Sequence, residues 1–170
     1  TRLTPAAHLT CVAASRAEID AVLADYWAAG IRHIVALRGD PPKDAAGFEA
    51  VEFQFPYAFP TAEMKRRLDA NGLELVLHNL PAGDWDAGER GIACLPDRVG
   101  EFRRGVAEAI EVGTALGTPR LNCLAGKAPA GANDGVLRET FVANLQFAAA
   151  ELKQAGLRLL IEPVNSFDIP

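Results

Sequence analysis

A carboxylate that ends a short run of apolar, β-prone residues is placed for proton chemistry, and Arg158-Leu159-Leu160-Ile161-Glu162-Pro163 has that form. Leu159 to Ile161 reads as too apolar for a surface strand and too short for a helix. Pro163 cannot continue a central ladder, so Glu162 is expected at the carboxyl end of a parallel strand. In α/β barrels that end carries the chemistry. Burial among apolar strand ends raises the pKa of a carboxylate and lets it exchange a proton with a carbon acid near neutral pH. The plainer alternative is a strand-end glutamate that caps a helix or pairs with an arginine. His78-Asn79 ends one earlier β-prone run and Asn122 stands in another, and Asp40, His78 or Asn79, Asn122 and Glu162 are all expected at the same end of one sheet. There His78 would hydrogen-bond a substrate or be satisfied by backbone.

The elements that must position these groups alternate between strand and helix. His8 to Val12 is β-prone, and Ser15 with Glu18 forms a capping box ahead of a helical pattern through Ile19, Val22, Leu23, Tyr26 and Trp27, closed by Gly30. Ile31 to Leu37 is a second strand, followed by the polar loop Arg38-Gly39-Asp40-Pro41-Pro42. His33 opens this strand, on the face that serves stability rather than chemistry. Ala50 to Phe55 alternates like a strand, Thr61 is placed to cap a helix that runs to Asn71-Gly72, and Leu73 to Asn79 is the next strand. The alternating Phe53, Phe55, Tyr57 and Phe59 point to one packed sheet face. After a long loop from Leu80 to Leu95, in which Trp85 walls a pocket or pins the loop, Pro96-Asp97 opens a helix with Val99, Phe102, Val106 and Ile110 on one face, ending near Gly117. Arg120 to Leu124 is a strand, and Leu137, Phe141, Leu145, Ala148 and Leu152 define the last helix, which Gly156 stops before the strand that leads to Glu162. This is βα alternation throughout, and the expected fold is an incomplete (βα)8-type barrel with about six mostly parallel strands and outer helices.

Composition narrows the function. A 170-residue chain with 49% hydrophobic and 23% charged residues has the make-up of a globular domain, but a complete barrel needs about 250 residues and rarely fewer than about 200. The net charge of −5 gives no basic stripe for nucleic acid, and no apolar run approaches a membrane span. Cys11, Cys94 and Cys123 are odd in number and lack CxxC spacing, which argues against a disulfide framework or structural zinc; with no signal peptide in view, a reduced, cytoplasmic setting is expected.

Two known families are visible in the strings themselves. Ala7-His8-Leu9-Thr10-Cys11, followed by the run from Asp25 through Gly30-Ile31-Arg32-His33 to Arg38-Gly39-Asp40-Pro41-Pro42, resembles methylenetetrahydrofolate reductase, a flavin-dependent barrel enzyme. That resemblance spans residues 1–45 and implies that His8, Leu37, Arg38, Gly39 and Asp40 contact FAD, with Asp40 the acidic residue beside the flavin. Residues 46–170 resemble hydroxypyruvate isomerase of the xylose isomerase-like barrel superfamily. The matching strings are Phe48 to Phe53 with Phe55-Pro56-Tyr57, Asn79 to Trp85 with Gly88-Glu89-Arg90-Gly91, Asn122 to Lys127, and Ile161 to Pro170.

The isomerase resemblance implies proton transfer between adjacent carbons of a small hydroxy-keto acid, hydroxypyruvate and 2-hydroxy-3-oxopropanoate, through an enediol. It makes Glu162 one of two proton-shuttling glutamates and, in related epimerases, a ligand for a divalent ion, Mg²⁺ or Mn²⁺; Asp168 falls where those epimerases bind substrate. For that substrate Arg90 and Lys127, on loops after strands, are candidate carboxylate binders, or else solvated loop charges. His78, Asn79 and Asn122 complete the candidate substrate contacts. The isomerase-like part stops after its fifth strand, ahead of the expected partner glutamate. About a dozen residues separate Leu37 from Val51, the minimum for a parallel crossover, with Pro41-Pro42 and Gly47 opposing a helix there. A fusion at Ala46 to Ala50 within one structural domain explains the join, with the strand near 51 antiparallel or one strand displaced. The alternatives are a flavin reductase, or a half-barrel that folds without activity and covers its open sheet edges as a homo-oligomer.

Overall fold

The computed structural model describes residues 6–10, 16–29, 33–37 and 49–162, with β1 and β2 described by their backbone. The chain divides into two compact units, Thr1–Phe48 and Glu49–Pro170. In the first, β1 (Ala6–Thr10), α1 (Arg16–Ala28) and β2 (His33–Leu37) form one βαβ unit, the strands parallel with His8 opposite Val35 and Thr10 opposite Leu37. Arg38, Gly39 and Asp40 lie outside the described residues.

The second unit is a four-stranded parallel sheet in the order β3 (Ala50–Phe53), β4 (Glu74–Asn79), β5 (Arg120–Cys123) and β6 (Arg158–Ile161). The connections run through α2 (Thr61–Ala70), α3 (Val99–Leu116) and α4 (Asp134–Gln154). The described strands thus number six, all parallel, divided between sheets of two and four. The strand near 51 pairs parallel with β4, not antiparallel.

The core lies between one face of this sheet and α3 and α4. Phe102, Val106 and Ala109 of α3 meet Leu121 and Cys123 of β5 and Ala148 and Leu152 of α4, while Val112 and Leu116 close over Leu68 and Leu75. Gly105, Ala109 and Gly113 recur every fourth residue, a spacing that puts them on one stripe of α3. A Cβ at Gly105 would stand 3.2 Å from the ring of Pro81, and one at Gly113 3.3 Å from Leu121; the small stripe lets the helix lie close on the strand ends. Gly117, at φ +78°, ends α3 in the left-handed conformation expected of a helix-stop glycine.

Three local expectations are corrected. Thr61 is the first helical residue of α2 and makes no capping bond; Pro60 holds the cap position. The aromatic series does not line one sheet face, because β3 ends at Phe53 and a 3₁₀ turn, Pro56–Ala58, rotates the chain beyond it. Phe53 and Tyr57 reach the core, Phe55 stacks 4.9 Å from Trp85, and Phe59 is exposed. Leu159 to Ile161 is not a fully buried run: β6 is the last strand of its sheet among the described residues, and its apolar side chains are half-buried or exposed.

Candidate functional site

One residue of β4 sets which groups reach the site. Val51 pairs with Leu75 but Glu52 pairs with Leu77, so β4 carries one extra residue at that point. The bulge shifts the alternation of side chains, and Leu75 and His78, three apart, both face the helix layer. Leu75 packs with Val112 and Leu116, and His78 Nε2 would lie 3.2 Å from a Cβ at Gly113. Asn79, the next residue, therefore points to the opposite face.

On that opposite face the ends of three adjacent strands converge. Asn79 and Asn122 are paired across β4 and β5, and Glu162 follows β6 directly. The Asn122 amide nitrogen donates both hydrogens, to Asn79 Oδ1 at 3.0 Å and to Glu162 Oε2 at 2.9 Å. The orientation is forced, since an ionised carboxylate only accepts. Asn122 is 4% exposed, so these bonds work in a water-poor setting. Among the described residues Glu162 is held through Oε2 only, which leaves Oε1 for a reacting group. Of the residues expected at one end of one sheet, Asn79, Asn122 and Glu162 are found there; Asp40, expected with them, and Asp168 lie outside the described residues.

Two loops complete the rim. Gly91 and Ala125 form an antiparallel bridge, and Cys94 donates its amide to Ala125 at 2.8 Å. At this crossing a Cβ on Gly91 would stand 2.3 Å from the Leu124 carbonyl oxygen, and Gly91 has φ +106°. Gly91→Ala is expected to destabilise the second unit by about 1–3 kcal/mol, the scale of local backbone strain; an unchanged urea midpoint would refute the crowding argument. Arg90 adjoins Gly91 and Lys127 adjoins Gly126, so the crossing places both candidate cations on one structural feature. Arg90 stacks 3.9 Å from the Trp85 ring centroid, and its Nη1 donates to the carbonyls of Trp85 and Glu89 at 3.1 and 2.7 Å. The side chain is thereby fixed and half-buried, whereas Lys127 is exposed. Trp85 therefore orients Arg90 as well as pinning the loop.

The loop from 80 to 95 is anchored at both ends. Glu89 accepts from the Asp84 amide and from Arg98, which also makes a bidentate pair with Glu101 at 2.7 and 2.6 Å. That Arg98 contact holds the Glu101 carboxyl below its ordinary range. Buried Asn144 of α4 donates to the Ala93 carbonyl at 2.9 Å. Neither Asn144 nor Tyr57 was a sequence candidate; a polar residue on an otherwise apolar helix face was the available signal for Asn144.

His78 belongs to the helix side rather than to the substrate side. It is fully buried, its Nδ1 lies 3.1 Å from the Asn79 carbonyl oxygen and 3.3 Å from Tyr57 Oη, and Nε2 has no hydrogen-bond partner among the described residues. This matches the backbone-satisfied alternative. Burial lowers its pKa from the ordinary 6.5, against a smaller opposing effect of the Asn79 carbonyl. A histidine depressed in the folded state contributes stability that is complete above the unfolded value and declines as pH falls below it. The urea midpoint should therefore drop between pH 7.5 and 5.5, and this slope should flatten in His78→Asn; equal slopes would refute the assignment.

Cys94 and Cys123 are free and buried, and burial pushes the Cys123 thiol up to about 12 and raises that of Cys94. Both should resist thiol reagents in the native state and react on unfolding.

A Mg²⁺ or Mn²⁺ ion draws on several oxygen ligands, commonly more than one carboxylate. Glu162 is the one carboxylate in this cluster, and no three His, Cys, Asp or Glu residues come together among the described residues. These side chains do not by themselves make such a site.

Comparison with known proteins covers the second unit. The sequence profile of the xylose isomerase-like TIM barrel matches residues 44–170. Hydroxypyruvate isomerase from Escherichia coli (strain K12) is 56% identical over 124 residues, 73% of this chain and 48% of that protein. The 2-oxo-tetronate isomerase of Cupriavidus necator is 47% identical over 126 residues, 74% of this chain and 48% of that protein. The structure of an AP endonuclease, family 2, from Brucella melitensis superposes with a TM-score of 0.70 at 40% identity, over 73% of this chain and 48% of that one. The chain thus spans about half the length of the curated relatives it matches. Among the described residues no helix is long and apolar enough to cross a membrane.

Proposed function

Given that the chain belongs to the xylose isomerase-like TIM barrel family through residues 44–170, we propose that it serves the isomerisation of a small hydroxylated 2-oxo acid, with Glu162 as the general base. The observation that carries this reading is the pair of bonds from Asn122, which fixes Glu162 against Asn79 at the strand ends and, among the described residues, leaves one carboxylate oxygen for the substrate. For hydroxypyruvate, Glu162 takes a proton from C3. The C–H electrons form the C2=C3 double bond, O2 takes up a proton to give the enediol, and return of a proton to C2 as the C3 hydroxyl gives up its own yields 2-hydroxy-3-oxopropanoate. Asn79 Nδ2 and Asn122 Oδ1, both unused in the cluster, suit the substrate oxygens. Arg90, held over Trp85 by two backbone carbonyls, suits the substrate carboxylate, with Lys127 adding charge at the rim. Hydroxypyruvate and 2-oxo-tetronate, named in the two curated relatives, are both 2-oxo acids, which supports the substrate class.

The test is solvent exchange. Residues 46–170, joined to the first strand and the carboxyl-terminal half of the Escherichia coli relative, should interconvert the two acids in D₂O and incorporate deuterium at the carbon that receives the proton. Conversion without deuterium that also persists in Glu162→Gln would point to hydride transfer and sink the enediol route. The chain of 170 residues alone should turn over poorly, because the proton must also be returned and a second acid-base group is not among the described residues around Glu162.

Residues 1–45 we read as a reductase-like segment, on their strings and on the parallel β1–β2 register that such a segment requires. One βαβ unit offers few of the several loops that bury a cofactor as large as FAD. The purified chain should carry no stoichiometric flavin; visible flavin absorbance surviving purification would reverse this expectation.

A further inference from the structure

The carbonyl of Asn79 should be an orphan. In a parallel ladder a residue that donates its N–H to one position of its neighbour accepts, through its C=O, from the position two further on. Asn79 donates to the Gln54 carbonyl at 3.0 Å, so its own carbonyl awaits the N–H of residue 56. Residue 56 is proline, which has none. Two side chains stand in: Tyr57 donates its hydroxyl to the Asn79 carbonyl, and His78 Nδ1 lies 3.1 Å from the same oxygen and 3.3 Å from Tyr57 Oη. The rings meet edge-on at 5.8 Å.

We propose that Tyr57 and His78 are positioning residues: from the helix side they clamp the Asn79 peptide, and through it the side-chain chain Asn79–Asn122–Glu162 on the opposite face. The clamp requires the Nδ1–H tautomer of His78, since that hydrogen serves the carbonyl and the hydroxyl while bare Nε2 faces α3 at Gly113, where no hydrogen-bond partner stands among the described residues. Its orphaned nitrogen is thus the counterpart of its useful one. The peptide that carries the Asn79 carbonyl is held on its other edge by the N–H of Leu80, which donates to the Asn122 carbonyl at 2.7 Å, so the clamp secures the one edge that Pro56 leaves open. Its value to proton transfer rests on the role given to Glu162 above; the clamp itself is read without any turnover.

The experiment is NMR on the full 170-residue chain. ¹⁵N shifts of His78 should show a protonated Nδ1 and a bare Nε2; the Nε2–H tautomer would overturn the proposal with no substitution made. Tyr57→Phe should then accelerate exchange of the Asn122 side-chain amide protons about threefold to tenfold, the factor corresponding to one hydrogen bond. The Asn144 side-chain amide, bonded to Ala93, should be unmoved. Equal acceleration at Asn122 and Asn144, or none at Asn122, would mean that Tyr57 only packs. An inactive enzyme with these exchange rates as expected would fault the role of Glu162 and leave the clamp standing.

Discussion

Glu162→Gln, made in residues 46–170 completed with the carboxyl-terminal half and first strand of the Escherichia coli relative, is expected to lower kcat for hydroxypyruvate by about 10²–10⁴-fold, the usual contribution of a general base. KM should change little, because Gln keeps an oxygen to accept from Asn122 at the position of Oε2 and the substrate contacts stay in place. The change removes the proton acceptor and almost no volume. Asn122→Ala should act differently: it releases both Glu162 and Asn79, leaving their polar atoms without a partner in a largely buried setting, so it should lower kcat and stability together. If the Glu162→Gln enzyme isomerises at its parent's rate, Glu162 is not the base and the proposed mechanism fails.

Leu121→Ala should give the largest loss of stability of any single truncation in β5, about 2–5 kcal/mol. Leu121 is 0% exposed and packs with Ala109 of α3 and Ala148 and Leu152 of α4, beneath the close approach at Gly113. The backbone there is held by ladders on both sides, so the cavity has little room to collapse. Domains of this kind retain about 5–15 kcal/mol in all, and the variant should be partly unfolded well below the parent's midpoint. A urea-derived loss below about 1 kcal/mol would mean that the two helices close over the gap. The comparison variant is Val142→Ala on the outer face of α4; Val142 is 44% exposed and its truncation should cost almost nothing.

How much was legible in advance depended on whether the signal was local. The apolar period of Phe102, Val106 and Ile110 and the stop at Gly117 were enough to place α3, because packing and capping act within one helix. Gly156 likewise marked the step from α4 to β6, and Glu162 was placed at its strand end by the residues beside it. The site was less readable where partners are far apart in sequence. His78 and Asn79 are adjacent on one strand and must point to opposite faces, so alternation alone admits only one of them to the site; choosing between them required the bulge, which is a relation to β3. Tyr57 escaped notice because its function is to replace a missing N–H for a residue 22 positions away. The half-burial of Leu159 and Leu160 was not readable for the same reason: an apolar run reports a tendency to be buried, while its extent depends on neighbours distant in sequence.

The crossing at Gly91 and Gly126 has a bearing on how this site can be altered. Two peptide segments that touch backbone to backbone exchange no side-chain information, so neither is free to accept a replacement that adds bulk at the contact. They should be inherited and transplanted as a pair. A designer who moved the Trp85–Arg90 segment alone into another scaffold would carry the charge and lose its aim, whereas moving it together with Leu124 to Lys127 would bring its own foundation. Variation that changes the rim should then gather at the exposed tip from 128 to 131, where added length disturbs neither segment.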